Sequence, residues 1–272
     1  MANPTFHSYA HFFETTRRDI YCRYPAVQRR SVFDVLPGVA AVIRKTRMLY
    51  HTVRYFSRLN ARLPLGGRSV VTLDERPGAD ITFLEDPAIQ TRVVKARIVF
   101  AYGWQFRVRP GLVARHAERI RAYFQPVASF GDANRQVLAR LREQVEIVVG
   151  VHIRRGDYRD WHGGRYFFEA PRYAAWMRDL AAQLPGRRVG FFVCSNEPRT
   201  AQEFPGLSVG LGQGPPVADL YTLAACDYLL GPLSTFTQWA SFYGDKPLFH
   251  LRDRDVRPDL AQFRVSDLLE IP

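Results

Sequence analysis

The sequence predicts an α/β protein whose carboxyl-terminal half is an open, doubly wound parallel sheet, and three observations carry that expectation. From Glu146 onward, short apolar runs (EIVVGVHI, RVGFFVCS, YLLG) alternate with stretches of helical spacing. Each run is apolar at successive positions, as a parallel strand covered on both faces requires. The charge is also divided. Residues 1–150 carry 24 Lys and Arg against 12 Asp and Glu, whereas 151–272 carry 14 of each, so the whole excess of +12 sits in the first half. Two domains are therefore expected, 1–145 and 146–272, within a 272-residue chain of ordinary globular composition, 47% hydrophobic and 24% charged.

In chain order, the first half reads as helical and extended pieces joined by loops such as LPLGG at 63–67 and RPGAD at 76–80. Over 39–63, Val39, Val42, Ile43, Leu49, Tyr50, Val53 and Phe56 recur at the spacing of one helix face. Arg44, Arg47, His51, Arg54, Arg58 and Arg62 fall on a different face. Two roles fit this helix: packing on an amino-terminal sheet with a solvated basic side, or peripheral contact with an anionic membrane. Residues 111–124, just after Pro110, and 132–145 predict two further helices. The strand EIVVGVHI follows, then a helix near 171–184 with Pro171 in its first turn and LPG at its end. RVGFFVCS is the next strand, and helices and short strands continue to the end.

Cys22, Cys194 and Cys226 lie far apart without a CxxC pair, which supports neither a zinc site nor a disulfide framework and points to a reducing, cytoplasmic setting. The opening residues lack the basic-then-apolar pattern of a signal peptide. No apolar run approaches the ~20 residues that cross a bilayer.

Ligands of such sheets bind at the carboxyl ends of the strands, which directs attention to three loops. In VHIRRGDY, strand alternation puts His152 and Arg154 on one face and Arg155 on the other. A guanidinium at the mouth of a parallel sheet suits bidentate contact with a phosphate, and Gly156 lets the chain turn. An ion pair of Arg154 with Asp157 is the plainer alternative. In CSNEP, Ser195, Asn196 and Glu197 stand where a strand gives way to a helix and could be caps. In GPLSTFTQW, Ser234, Thr235 and Thr237 follow a short strand and open a helix, offering hydroxyls and free amides to an anion.

Together these segments resemble the superfamily of α-1,2, α-1,6 and protein O-fucosyltransferases. HIRRGDY is similar to its first signature. GPLSTFTQWASFYG, with DLYTLAACDY upstream, is similar to the later Ser-Thr-Phe-Ser-x-Trp segment of the α-1,2 branch, glycosyltransferase family eleven. The resemblance covers about 146–250. It implies a GT-B fold of two Rossmann-like halves, the second holding GDP-fucose as donor substrate, with no metal and no other cofactor. Arg154 would bind the β-phosphate, His152 would lie near guanine, and Asp219 would accept from the base, whose two N–H donors on one edge suit a carboxylate. Ser234, Thr235 and Phe236 would line the diphosphate. Arg155 belongs to the same donor-binding set, and Asn196 and Glu197 fall where related enzymes carry an acidic pair. The implied chemistry is inverting fucosyl transfer to a sugar hydroxyl of a glycan or lipid-linked oligosaccharide. Asp157 and His162 are both open as the general base.

The sequence departs from the family at its start, where no Gly-x-Gly-Asn loop occurs. NPTFHSYAHFFETTRRD is similar to the segment after the first helix of related bacterial sequences, so an incomplete amino-terminal half is expected. That departure motivates a second reading, a catalytically inactive GDP-sugar-binding relative. A nucleic-acid-binding role would suit the positive charge, but no nucleic-acid-binding motif accompanies it, and nucleic acid is not an expected partner.

Overall fold

The computed structural model describes residues 10–16, 51–52, 54–56, 58–59, 63, 70–74, 83–96, 98–102, 108–109 and 111–268. The chain divides into two compact units, Met1–Gln125 and Pro126–Pro272.

In the first unit, β1 (Val70–Asp74) and β2 (Ile98–Tyr102) pair in parallel, with Val70 opposite Ile98. Parallel neighbours need a crossover, and α1 (Pro87–Lys95) lies within it. Asp86 caps this helix by accepting from the Ala88 N–H at 2.8 Å, and Pro87 occupies the first turn, where no amide is needed. The helix expected over 111–124 forms as two pieces, α2 (Leu112–Arg115) and α3 (Ala117–Tyr123), broken at His116. Phe13 meets Phe124 edge-on at 5.5 Å, and the Glu14 N–H donates to the Gln125 carbonyl at 3.0 Å. Within the basic segment 39–63, the described positions from His51 to Leu59 are helical, and Phe56 of its apolar face is half exposed. Residues 39–50, the opening NPTF segment and most of the Gly- and Pro-rich loops lie outside the described residues. Among those described, no helix is long and apolar enough to cross a membrane.

The second unit bears out the α/β expectation. Its five strands, β3 (Ile147–Ile153), β4 (Val189–Ser195), β5 (Ser208–Leu211), β6 (Tyr228–Pro232) and β7 (Leu248–Leu251), form one parallel sheet in the order β5-β4-β3-β6-β7. The unit begins well before the change of pattern at Glu146, because α4 (Asp132–Gln144) lays Leu138 and Leu141 on the sheet beside Val148 and Phe192. That face is completed by α6 (Pro216–Leu223) and α7 (Thr235–Gly244). The opposite face carries Val149, Val151, Ile153, Phe191 and Val193, covered by Tyr173, Trp176, Met177 and Leu180 of α5 (Ala170–Ala182). The strict alternation of Val148 with Val149 between two cores explains why β3 is apolar from Ile147 to Val151, with His152 the one polar side chain before it ends. Trp176 donates its indole N–H to the Val256 carbonyl at 2.6 Å, which satisfies the one polar atom this ring brings into the core.

Close packing of α6 on α7 depends on Gly244, where an added Cβ would collide with the Ala224 carbonyl. Gly244→Ala must therefore push the helices apart. Thermal or urea unfolding should show a loss on the order of 1–3 kcal/mol, and unchanged stability would mean that this contact relaxes freely.

Candidate functional site

The connections from β3 lead through β4 to β5 on one side, while β6 and β7 lie on the other, so the chain diverges between the carboxyl ends of β3 and β6. In doubly wound sheets this divergence opens a crevice. The β3 side supplies His152 and Arg154. The β6 side supplies Leu233, Ser234 and the start of α7. Ser234 has the extended backbone of an N-cap, φ −155° and ψ 138°, and its hydroxyl accepts from the Phe236 N–H at 3.2 Å. The remaining amides of the first turn have no intrahelical partner, and Thr235 is exposed beside them.

His152 is buried against this helix, its ring 4.8 Å from that of Phe236. Its Nδ1 is buried without a hydrogen-bond partner. Burial, reinforced by the Arg154 charge, drives the imidazole pKa down to about 3, so the ring is neutral at physiological pH. Arg154 extends farther out. Its Nη2 donates to Asp157 Oδ2 at 3.0 Å, and its guanidinium stands 5.6 Å from the centre of the Tyr158 ring. With 36% of the Arg154 side chain and 59% of the Asp157 side chain exposed, this pair is solvated and contributes little to stability. Beneath it, buried Tyr158 donates its hydroxyl to the Leu233 carbonyl at 2.7 Å and ties the two edges of the crevice together. Burial raises the pKa of this phenol, which keeps the donor in place.

Arg155 turns to the other face, as strand alternation predicts. Its Nε donates to Glu197 at 2.8 Å and its Nη1 to Glu169 at 2.7 Å, with the guanidinium 4.3 Å from the centre of the Phe167 ring. Burial opposes its charge, but the two carboxylates outweigh that penalty and raise its pKa. Asn196 clasps the same backbone, accepting the Arg155 N–H at 2.8 Å and donating to the Arg155 carbonyl at 3.2 Å. Glu197 also accepts from Arg199 at 3.1 Å, and Arg199 reaches Glu203 at 2.9 Å. Arg155, Asn196 and Glu197 thus brace the β3 and β4 loops against α5. Gly156 follows with φ +60°, and a Cβ there would stand 3.0 Å from the Asn196 amide nitrogen. The glycine of HIRRGDY is required by both conformation and space.

Asp219 lies on α6, buried beside β4. Gly212 lets its carboxylate approach the sheet, since a Cβ at that position would stand 2.5 Å from Oδ1 and 3.3 Å from the Cys194 Cβ. Cys194 is the register partner of His152, which places Asp219 along the sheet from the crevice on the same face. The structure therefore gathers His152, Arg154, Ser234, Thr235 and Phe236 at the switch point and sets Asp219 beyond them. Asp157 stays with Arg154. His162 is exposed with φ 48°, edge-on to Trp161 at 4.4 Å. Sequence reasoning missed the bridging role of Tyr158, although the residue stands inside the quoted motif. It also missed Asn134, which donates to Asp219 from 85 residues away, a separation that leaves no local signal.

The depressed pKa of His152 sets a pH dependence of stability. Its folded value, about 3, lies below the ordinary 6.5, so the contribution is present above 6.5 and is lost as pH falls from 6.5 toward 3. Urea unfolding across this window should show a steeper loss in the wild type than in His152→Leu. Equal slopes would mean that the ring is protonated where it lies.

No family model matches the chain, and no curated protein matches it. Among solved structures, it is similar to a lysine-for-arginine mutant of Arabidopsis thaliana FUT1 in complex with GDP, at 13% identity over 73% of this chain and 54% of that one, with a TM-score of 0.43. It is similar to the NodZ alpha-1,6-fucosyltransferase soaked with GDP-fucose, at 18% identity over 62% of this chain and 56% of that one, with a TM-score of 0.37. It is also similar to POFUT1 in complex with GDP, at 12% identity over 56% of this chain and 54% of that one, with a TM-score of 0.38. The chain spans about half the length of these solved relatives.

Proposed function

We propose that this protein is an inverting glycosyltransferase that moves fucose from GDP-fucose to a sugar hydroxyl without a metal ion. One observation carries the reading: a solvated arginine at the end of the central strand stands at the switch point with the capped start of α7. These are the two kinds of group that hold a diphosphate, a forked cation and converging amide N–H groups.

As the bond from fucose C1 to the diphosphate oxygen breaks, negative charge grows on the β-phosphate. Arg154 and the amides near Ser234, Thr235 and Phe236 stabilise that charge more in the transition state than in the ground state. Deleting one such group typically costs about 10²–10³ in rate. The acceptor oxygen attacks C1 from the opposite side and its proton passes to a base, for which the loop after β3 supplies Asp157 and His162. Arg155, Asn196 and Glu197 support the donor site by holding this loop. In this reading the two units are the halves of a GT-B enzyme. The glycan or lipid-linked acceptor, and any contact with an anionic membrane, are assigned to the basic amino-terminal half.

Thermal denaturation with GDP and GDP-fucose tests this. The wild type should be stabilised by both, and Arg154→Ala should lose most of the shift while retaining its unliganded Tm. Turnover of GDP-fucose separates an active enzyme from an inactive relative. No shift with GDP, together with tight oligonucleotide binding, would overturn the reading.

A further inference from the structure

Asn134 is fully buried in the first turn of α4 and makes two hydrogen bonds with opposite polarity. Its Oδ1 accepts from the Gln213 backbone N–H at 2.7 Å, and its Nδ2 donates to Asp219 Oδ1 at 2.7 Å. A backbone N–H can only donate, so the amide oxygen must face Gln213 and the NH₂ must face Asp219. The Asp219 oxygen is thereby required to accept. Two glycines leave room for the arrangement. A Cβ at Gly212 would press on Asp219 Oδ1, and one at Gly214 would stand 2.6 Å from the Ala218 Cβ and 3.3 Å from Asn134 Nδ2. The cluster joins α4, the loop after β5 and α6, three segments far apart in sequence.

Resting on the nucleotide reading above, we propose that Asn134 is the positioning residue of the nucleobase site: it fixes one oxygen of Asp219 as an acceptor and so presents a carboxylate that takes two N–H donors from one purine edge. Each carboxylate oxygen has two lone pairs, so Oδ1 can hold Asn134 and still meet a ligand together with Oδ2. The requirement is electrostatic as well as geometric. Burial raises the Asp219 pKa to about 6, and the Asn134 hydrogen bond opposes that rise. Among the described residues, Cys194 on β4 also feels the Asp219 charge, and burial holds its thiol neutral. No residue of α7 is ionisable except Tyr243. Without the amide, Asp219 would hold its proton to higher pH and offer a donor where the purine edge also donates.

The test is GDP binding from pH 5 to 8, with carbon NMR titration of the Asp219 carboxyl in the unliganded protein. In the wild type, affinity should fall about tenfold per unit below the midpoint. In Asn134→Ala the midpoint should move up. A one-unit move makes binding about threefold weaker at pH 6.5 than in the wild type and nearly equal to it at pH 8. Should that variant fail to fold, Asn134→Asp is nearly isosteric and cannot donate when ionised, and it should move the midpoint further in the same direction. A uniform loss of affinity with an unmoved midpoint would reduce Asn134 to a structural residue and overturn the inference. An upward move of the Asp219 titration in a protein that binds no GDP would instead overturn the nucleotide reading and leave the clasp intact.

Discussion

Burial of β3 on both faces is the constraint from which the rest of this unit follows. A strand covered by α5 on one side and by α4, α6 and α7 on the other carries apolar side chains along most of its length, with His152 near its carboxyl end as the exception. Alternation continues past the end of the strand, so buried His152 and solvated Arg154 lie on one side and Arg155 on the other. The two arginines of one motif therefore meet different surroundings. Their chemistry is assigned by the parity of the strand.

Magnitudes decide which arginine is available. Arg155, with 11% of its side chain exposed, is held by two carboxylates at once, Glu169 and Glu197, which are themselves 59% and 34% exposed. A ligand could recruit it only by breaking both contacts, after which Glu197 would keep Arg199 alone. Arg154 holds a single solvated carboxylate, an interaction worth about 0–1 kcal/mol, which a doubly charged diphosphate can displace. His152 adds shape without charge, since its buried ring stays neutral. The braced arginine holds the loop, and in the proposed function the solvated one is offered to the diphosphate.

Much of this was legible in the sequence. Apolar runs set the strands, Pro171 and LPG bounded a helix, and alternation separated Arg154 from Arg155. The loops after β3 and β6 stand out in the sequence as polar groups at strand ends. Long-range pairing was not legible. Nothing around Asn196 signals that its side chain grips Arg155, and nothing around Asn134 signals Asp219, because those contacts depend on strand order and helix placement. The break at His116 also escaped, since a periodic apolar pattern does not report where two short helices change direction. The unit begins at Pro126 because α4 packs on the sheet, a tertiary fact invisible to charge and composition.

The central claim is that Arg154 recognises the terminal phosphate of a nucleoside diphosphate at the switch point. Calorimetric titration of GDP against GMP, in the wild type and in Arg154→Ala, tests it most directly. The account predicts that the wild type prefers GDP at least about tenfold, a difference of about 1.4 kcal/mol, and that Arg154→Ala binds both nucleotides alike. A preference for GDP that survives the substitution would contradict it.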